Sequence, residues 1–461
     1  MRLLALVLVG VLIGCSDDPV QRTPAGGGHR DDSEDEDAGD SGDGDGDDDD
    51  DDDDDDLPRR DGGGDGDGDA PGDGGAGSDS GIGLEIEGCD GAKLLSVSDD
   101  TAQRGPWKAG VRTVMIDGLV TEVIYPAKPG STAGKEVATY DIRDWLPEPE
   151  RKKIPDAHVP QVTAVGGGVY RDVPIDDAHG PYPVVIFIHG TSSFRVASGT
   201  LAVQWASHGF VVVAADYPGL GLKDQLGVTL ECGYGGDPQD IPRDVNKQLA
   251  ALEHASGDLA FLAAHLDMKR IAISGHSQGG CVSSTFTTLP NVKVVMPLSG
   301  STAITDSDSL ESVMFVGGMD DRVIGYYGPW VGNVVCPLGS ISTQAAYATS
   351  GGPPRYKKRL LGLKGGGHLA VTDLCQKNAQ GKNAIEEAQA DGVCGIGSAV
   401  IIGLPYLFDC GSLEMKSGLD ATNYATTAVL EETLHCKNRD TTFAKLKERL
   451  PQVGEFAEAV K

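Results

Sequence analysis

Residues 270–280 read Arg270-Ile271-Ala272-Ile273-Ser274-Gly275-His276-Ser277-Gln278-Gly279-Gly280, a short apolar run that breaks into a glycine-rich turn around one serine. The run has the composition of a strand buried on both faces, and the residues after the turn open a helical pattern. Gly275-His276-Ser277-Gln278-Gly279 fits G-x-S-x-G, which in a chain with 65 glycines arises by chance roughly half a time, so the pentapeptide alone decides little. Its position decides more. A strand, a sharp turn and a helix in immediate succession thrust the serine hydroxyl out of the sheet, and the flanking glycines let the turn pack closely against its neighbours.

Working outward, the same alternation continues on both sides. Val184-Val185-Ile186-Phe187-Ile188 is another continuous apolar run and ends in His189-Gly190-Thr191-Ser192-Ser193. A helical stretch runs to His208, and Phe210 to Ala215 forms the next buried strand. A helix from about Asp244 to His265 leads into the serine-bearing strand. Further strands are expected at Val292–Leu298, Val313–Val316 and Leu360–Lys364, with helices near 421–435 and 441–460. Upstream, Val111–Ile116 and Leu119–Tyr125 flank Asp117-Gly118, a strong hairpin signal. Residues 127–180, rich in proline and charge, carry no clear pattern. Strands alternating with helices predict an α/β domain over residues 81–461, a mostly parallel sheet with helices on both faces.

A serine hydroxyl is a poor nucleophile until a base takes its proton, and the base needs an orienting acid. In this architecture the chain order is Ser, then Asp or Glu, then His. His368 follows a strand across Gly365-Gly366-Gly367 and is the expected base. His208, His254 and His265 lie on helical stretches, while His189 and His276 are expected to be structural. The acid should follow the strand Val313–Val316, where Gly317-Gly318-Met319-Asp320-Asp321-Arg322-Val323 stands. Asp320 is chosen over Asp321 for its D-x-x-V spacing, and Asp373 is read as a structural hydrogen-bonding group. Backbone N–H groups of Thr191 and Gln278 are the expected oxyanion donors, with the Thr191 hydroxyl a candidate third. Tyr326, Tyr327 and Trp330 are candidates for lining an acyl pocket or for core packing.

Together these motifs resemble the platelet-activating-factor acetylhydrolase and dienelactone-hydrolase-like branch of the α/β-hydrolases. The resemblance covers about residues 105–375. It rests on Tyr182–Gly190, Ser193-Phe194-Arg195, Ala206–Val212, Gly110-Val111-Arg112-Thr113, Leu266-Asp267 and His368–Asp373. It departs at Asp216-Tyr217-Pro218-Gly219, which is more like secreted lipases and polyester hydrolases, and in its serine, since dienelactone hydrolases proper use cysteine. The resemblance implies the α/β-hydrolase fold and a cofactor-free serine hydrolase of carboxylic esters acting through an acyl-enzyme. The alternatives are a lipase, polyester hydrolase or acyltransferase with the same triad, or a non-catalytic surface lipoprotein on a hydrolase fold.

The N-terminal part is of another kind. Arg2 precedes an apolar run, Leu3–Ile13, too short to span a bilayer as a helix, and Leu12-Ile13-Gly14-Cys15 resembles a lipoprotein lipobox. Residues 1–14 are therefore expected to be a signal peptide and Cys15 the lipidation site, anchoring an exported cell-envelope protein to a membrane. Residues 15–80 are expected to be a disordered Asp/Gly-rich tether, with Asp47 to Asp56 an unbroken aspartate run. As a flexible coil it would reach roughly 45 Å. Its Asp43–Asp47 and Asp65–Asp69 repeats lack the EF-hand glycine, having Asp48 and Ala70 at the sixth position.

The net charge of -32 divides unevenly: residues 16–80 carry -23 and residues 81–461 only -10. Bulk charge thus argues against a nucleic-acid partner. Nine cysteines less Cys15 leave eight, an even number in an exported chain, which favours disulfides of unspecified pairing. Cys281, inside an expected buried helix, is a candidate free packing residue. No C-x-x-C or His/Cys cluster points to zinc, and no metal is expected in the active site.

Overall fold

The computed structural model describes residues 84–159, 168–226, 232, 238–328, 336, 341–351, 356–396 and 408–459. All of them belong to one compact unit, Gly75–Lys461. The expected signal peptide, Cys15, the tether and Trp330 lie outside the described residues.

The described strands are β1 (Glu85–Glu87), β2 (Lys93–Leu95), β3 (Ala109–Ile116), β4 (Leu119–Pro126), β5 (Val169–Arg171) and β6 (Tyr182–Ile188). They continue with β7 (Val211–Ala215), β8 (Leu266–His276), β9 (Val292–Leu298), β10 (Ser312–Gly318), β11 (Lys357–Leu363) and β12 (Val453–Ala459). The helices are α1 (Glu148–Arg151), α2 (Gly199–Ser207), α3 (Leu222–Leu226), α4 (Ile241–His254) and α5 (Gln278–Ser283). After them come α6 (Thr343–Thr349), α7 (Ala384–Ala390), α8 (Met415–Leu434), α9 (Asp440–Ala444) and α10 (Leu446–Arg449).

Ten strands form one sheet in the order β12-β11-β10-β9-β8-β6-β7-β4-β3-β5. The run from β11 to β7 is parallel throughout. Antiparallel pairs flank it, β4 on β7 at one side and β12 on β11 at the other. The β3–β4 hairpin closes with Ile116 opposite Leu119, and both turn residues, Asp117 (φ 46°) and Gly118 (φ 87°), are left-handed, as a two-residue hairpin turn requires. The expected helix over 441–460 is corrected by the structure. It breaks after the short α9 and α10, and Val453–Ala459 becomes a sheet strand because it pairs residue by residue with β11.

Strand alternation builds two cores, one on each face. Val184, Ile186 and Ile188 face one side with Val211 and Val213, packing against Val245 and Leu252 of α4. Val185 and Phe187 face the other with Val212 and Ala214, against Leu201 and Trp205 of α2 and Tyr424 and Val429 of α8. Burial on both faces explains why these strands read as unbroken apolar runs.

Four disulfides are present among the described residues: Cys89–Cys436, Cys232–Cys394, Cys281–Cys336 and Cys375–Cys410. Cys281 is therefore a paired residue. Its apolar surroundings do not make it a free thiol, because Cys336 packs into the same cluster.

One charged group lies deep in the α8 layer. Glu431, fully buried, is bonded to His208 Nδ1 at 2.8 Å and paired with Arg439, and Lys437 lies 4.0 Å away. Burial raises the carboxyl's pKa, but His208, Lys437 and Arg439 outweigh it and hold the group at about 2. The stabilisation it brings is complete above the ordinary carboxylate range near 4.5 and is lost as pH falls through 2. Glu431→Gln would leave the cations uncompensated. Chemical denaturation at pH 7 should show a loss of about 3–5 kcal/mol, with the gap to the parent protein narrowing on acidification.

Candidate active site

β8 ends at His276 and α5 begins at Gln278, so Ser277 occupies the turn alone, with φ 55° and ψ -122°. A side-chain-bearing residue rarely adopts such angles, and the cost of holding it there is of order 1–3 kcal/mol. Glycine is required at the flanks for room. A Cβ on Gly279 would stand 2.1 Å from the Ile188 carbonyl oxygen, and one on Gly275 would stand 2.5 Å from that of Gly279. The G-x-S-x-G spacing is thus a steric condition for bringing the turn down onto the end of β6.

His368 follows β11 on the Gly365–Gly367 loop. That loop is bonded to residues 409–413 on both sides, Gly367 N to Cys410 O (3.2 Å) and Leu369 N to Asp409 O (3.0 Å). The Cys375–Cys410 disulfide closes the same pairing. His276 Nε2 donates to the His368 carbonyl oxygen at 2.9 Å. Burial, then the neighbouring His368, lower the His276 pKa to about 3, so its ring stays neutral and keeps this bond across the physiological range.

Side chains meet in one line. Ser277 Oγ lies 2.9 Å from His368 Nε2, and His368 Nδ1 lies 2.9 Å from Asp321 Oδ2. A carboxylate only accepts, so Nδ1 carries the proton and Nε2 accepts from the serine hydroxyl. All three residues are buried.

The expected acid, Asp320, is corrected to its neighbour. Asp320 is exposed and contributes only its backbone N–H, which donates to Gly366 O at 3.0 Å. The turn after β10 sends adjacent side chains to opposite sides, and the inward one is Asp321. Its Oδ1 accepts from the amides of Val323 (2.8 Å) and Ile324 (3.0 Å), leaving Oδ2 for the histidine. Either aspartate has amides two and three residues ahead that its side chain could bond, so the sequence carries no signal that separates the two.

Thr191 and Gln278 are brought together across the serine. Thr191 Oγ1 donates to Gln278 Oε1 at 2.6 Å, and Gln278 Nε2 donates to Gln239 Oε1 at 2.9 Å. The Thr191 hydroxyl is committed to that bond, which corrects its reading as a third oxyanion donor. Neither backbone amide has an acceptor among the described residues. Gln239, unmarked by any motif, was missed.

The 189–195 loop is anchored from below. His189 Nδ1 donates to Gly190 O at 2.8 Å and its Nε2 accepts from Tyr217 N at 3.2 Å. Arg195 Nε donates to the fully buried Glu122 at 3.1 Å, and its guanidinium also pairs with Asp216. Trp145 stacks on Phe194 at 4.4 Å and donates to Asp216 at 3.0 Å. Of the proposed pocket aromatics, Tyr326 is buried with its hydroxyl on Glu455 (3.0 Å), and Tyr327 is exposed.

Among the described residues, the group with metal-ligand atoms within 4.8 Å of one another is His158, Glu387 and Asp391, which includes none of the triad. Asn378 and Lys382 already engage Glu387, and His158 bonds Asp391 at 2.8 Å, so the cluster is satisfied as a latch between two segments.

Asp373, five residues beyond His368, does not reach the imidazole. Its Oδ2 accepts from Thr200 N at 2.8 Å at the start of α2, and complete burial raises its pKa to about 6. A carboxyl raised in the folded state stabilises the fold below its ordinary pKa near 4 and loses that contribution as pH rises through 6. Asp373→Asn keeps an acceptor for Thr200 and removes the titration. Urea denaturation from pH 4 to 7 should show the parent protein losing about 3 kcal/mol more than the variant across that interval.

Comparison with known proteins gives a partial likeness. The chlorophyllase family model matches residues 173–306. That segment carries β6 to β9, the 189–195 loop and the Ser277 turn, but neither Asp321 nor His368. It covers less than half of the chain, and no curated protein matches. Sheet order, serine turn and matched segment agree at the level of architecture: the chain has the α/β-hydrolase fold.

Proposed function

We propose that the protein is a serine hydrolase of carboxylic esters, working through an acyl-enzyme. The observation that carries this reading is the buried line Ser277–His368–Asp321, with both contacts at 2.9 Å, on a turn that no ordinary packing need would strain. His368 takes the serine proton as Oγ attacks the ester carbonyl, then returns it to the departing alcohol. Asp321 holds the Nδ1–H tautomer and stabilises the imidazolium. The amides of Thr191 and Gln278 receive the developing oxyanion, and water repeats the sequence on the acyl-enzyme. None of these steps calls for a cofactor.

The protein is also proposed to be exported and held at a membrane by lipid on Cys15, with residues 15–80 as a spacer. Four disulfides support an oxidising compartment, and among the described residues no helix is long and apolar enough to cross a membrane. The acidic segment adds reach without contributing a substrate preference.

Aryl esters with acyl chains of two to sixteen carbons test the chemistry. Ser277→Ala should abolish turnover and Asp321→Asn should lower kcat by roughly 10⁴-fold, whereas Asp320→Asn should stay within about threefold. Equal loss for the two aspartate variants would remove Asp321 from its role. For the anchor, mass spectrometry of the mature N-terminus should find Cys15 first and acylated; an unmodified Cys15 overturns it.

A further inference from the structure

Beside the 189–195 loop lies an apolar recess built from parts of the chain outside the parallel sheet. It is lined by Ile142 and Leu146, by Ile385 and Ala388 of α7, and by Phe194 and Leu374. Phe194 and Leu374 belong to the same buried cluster as Cys281, Val323 and Leu369, residues four, two and one positions beyond Ser277, Asp321 and His368. The recess is therefore continuous with the apolar packing that surrounds the triad.

Its walls are tied in place. Trp145 is fixed to the loop through Phe194 and Asp216. Residues 150–158 are tied to the residues just after α7 by His158 on Asp391, by Lys153 Nζ on Gly392 O (3.0 Å) and by Cys394 N on Glu150 Oε2 (2.7 Å). A cavity held open in this way does not need a ligand to organise it.

One lining residue is polar. Ser192 follows Thr191, is 2% exposed, and sits in the left-handed region at φ 56°. Its hydroxyl has no partner among the described residues. A buried hydroxyl left in that state costs free energy that a ligand atom would recover. Through Thr191 Oγ1 on Gln278, this residue is also one step from the nucleophile's neighbour.

We propose that the recess is the subsite for a hydrocarbon group of the ester, from its acyl or its alcohol half, with Ser192 Oγ donating to an oxygen at the ester end of that group. The proposal rests on the esterase reading above. The apolar lining favours alkyl or ring carbon and leaves a charged headgroup without a partner. The recess has a volume of about 40 Å³, so each methylene should raise kcat/KM about fourfold over about the first two that enter, and the gain should then level off.

Two ester series tell the sources apart: nitrophenyl esters of acids from two to eight carbons, and acetates of alkyl alcohols of the same lengths followed by proton release. Ala388→Phe fills the recess, and Ile385→Phe does so from a less buried position should the first variant fail to fold. Rates are read on protein whose thermal transition matches the parent's. A loss of tenfold or more for the eight-carbon member of one series, with its two-carbon member within twofold, supports the subsite and names the half it holds. Ser192→Ala should lower kcat/KM about tenfold at every length. Unchanged chain-length dependence in a folded filling variant, or equal losses at all lengths, overturns the subsite while leaving the esterase reading intact. Failure of the parent protein to hydrolyse any ester overturns both.

Discussion

The contact on which the rest of the site depends is the approach of the Gly279 backbone to the Ile188 carbonyl, so close that a methyl group would have 2.1 Å to itself. That approach sets how far the turn after β8 can descend toward the end of β6, and hence where Ser277 Oγ emerges. It also brings Gly190 against the serine, since a Cβ there would lie 2.9 Å from Ser277 Cβ. Ser277 and the 189–195 loop are thus placed by one packing event between two neighbouring parallel strands. The strain at Ser277 is tolerated because buried strands on either side over-determine the turn.

The other two members are brought in by different physics. His368 rides on three glycines and needs external support, which comes from residues 409–411, the Cys375–Cys410 bridge and the His276 ring. Asp321 supports itself through two amides of its own turn. The loop carrying Thr191 relies on charge, because Glu122 stands inside the sheet and would be costly there without Arg195 and the hydroxyl of Tyr140 at 2.9 Å. Steric fit, cross-linking and buried ion pairing each hold one element of the same constellation.

Legibility in the sequence follows from this division. Strands buried on both faces and a turn that demands glycine leave compositional marks, so the sheet core, Ser277 and His368 could be read from Val184–Ile188, Arg270–Gly279 and Gly365–His368. Asp320 was preferred over Asp321 because spacing does not reveal which of two adjacent side chains a turn sends inward. β12 carries no strand signal of its own, because Val453-Gly454-Glu455-Phe456-Ala457-Glu458-Ala459 owes its conformation to pairing with β11. Cys281 stands in the sequence as a candidate free residue, because a disulfide to Cys336 depends on a partner 55 positions away. The stretch 127–180 carries no periodic pattern because most of its described order is single turns.

That unreadable stretch has a consequence for how the protein would choose substrates. On the proposed reading, reaction chemistry sits at strand ends, where geometry is fixed by a sheet that many hydrolases could share. The walls of the recess come instead from the 142–159 segment and α7, which the sheet does not constrain and which hold each other through His158, Lys153 and Glu150. Changing a wall residue alters volume and chemistry beside Phe194 without moving Gly279 or Ile188. The acidic excess that dominates the composition is separate from both, being concentrated in residues 16–80. If the proposed function and subsite hold, charge, chemistry and selectivity fall on different stretches of one chain, and the segments least patterned in sequence are the ones free to tune what Ser277 meets.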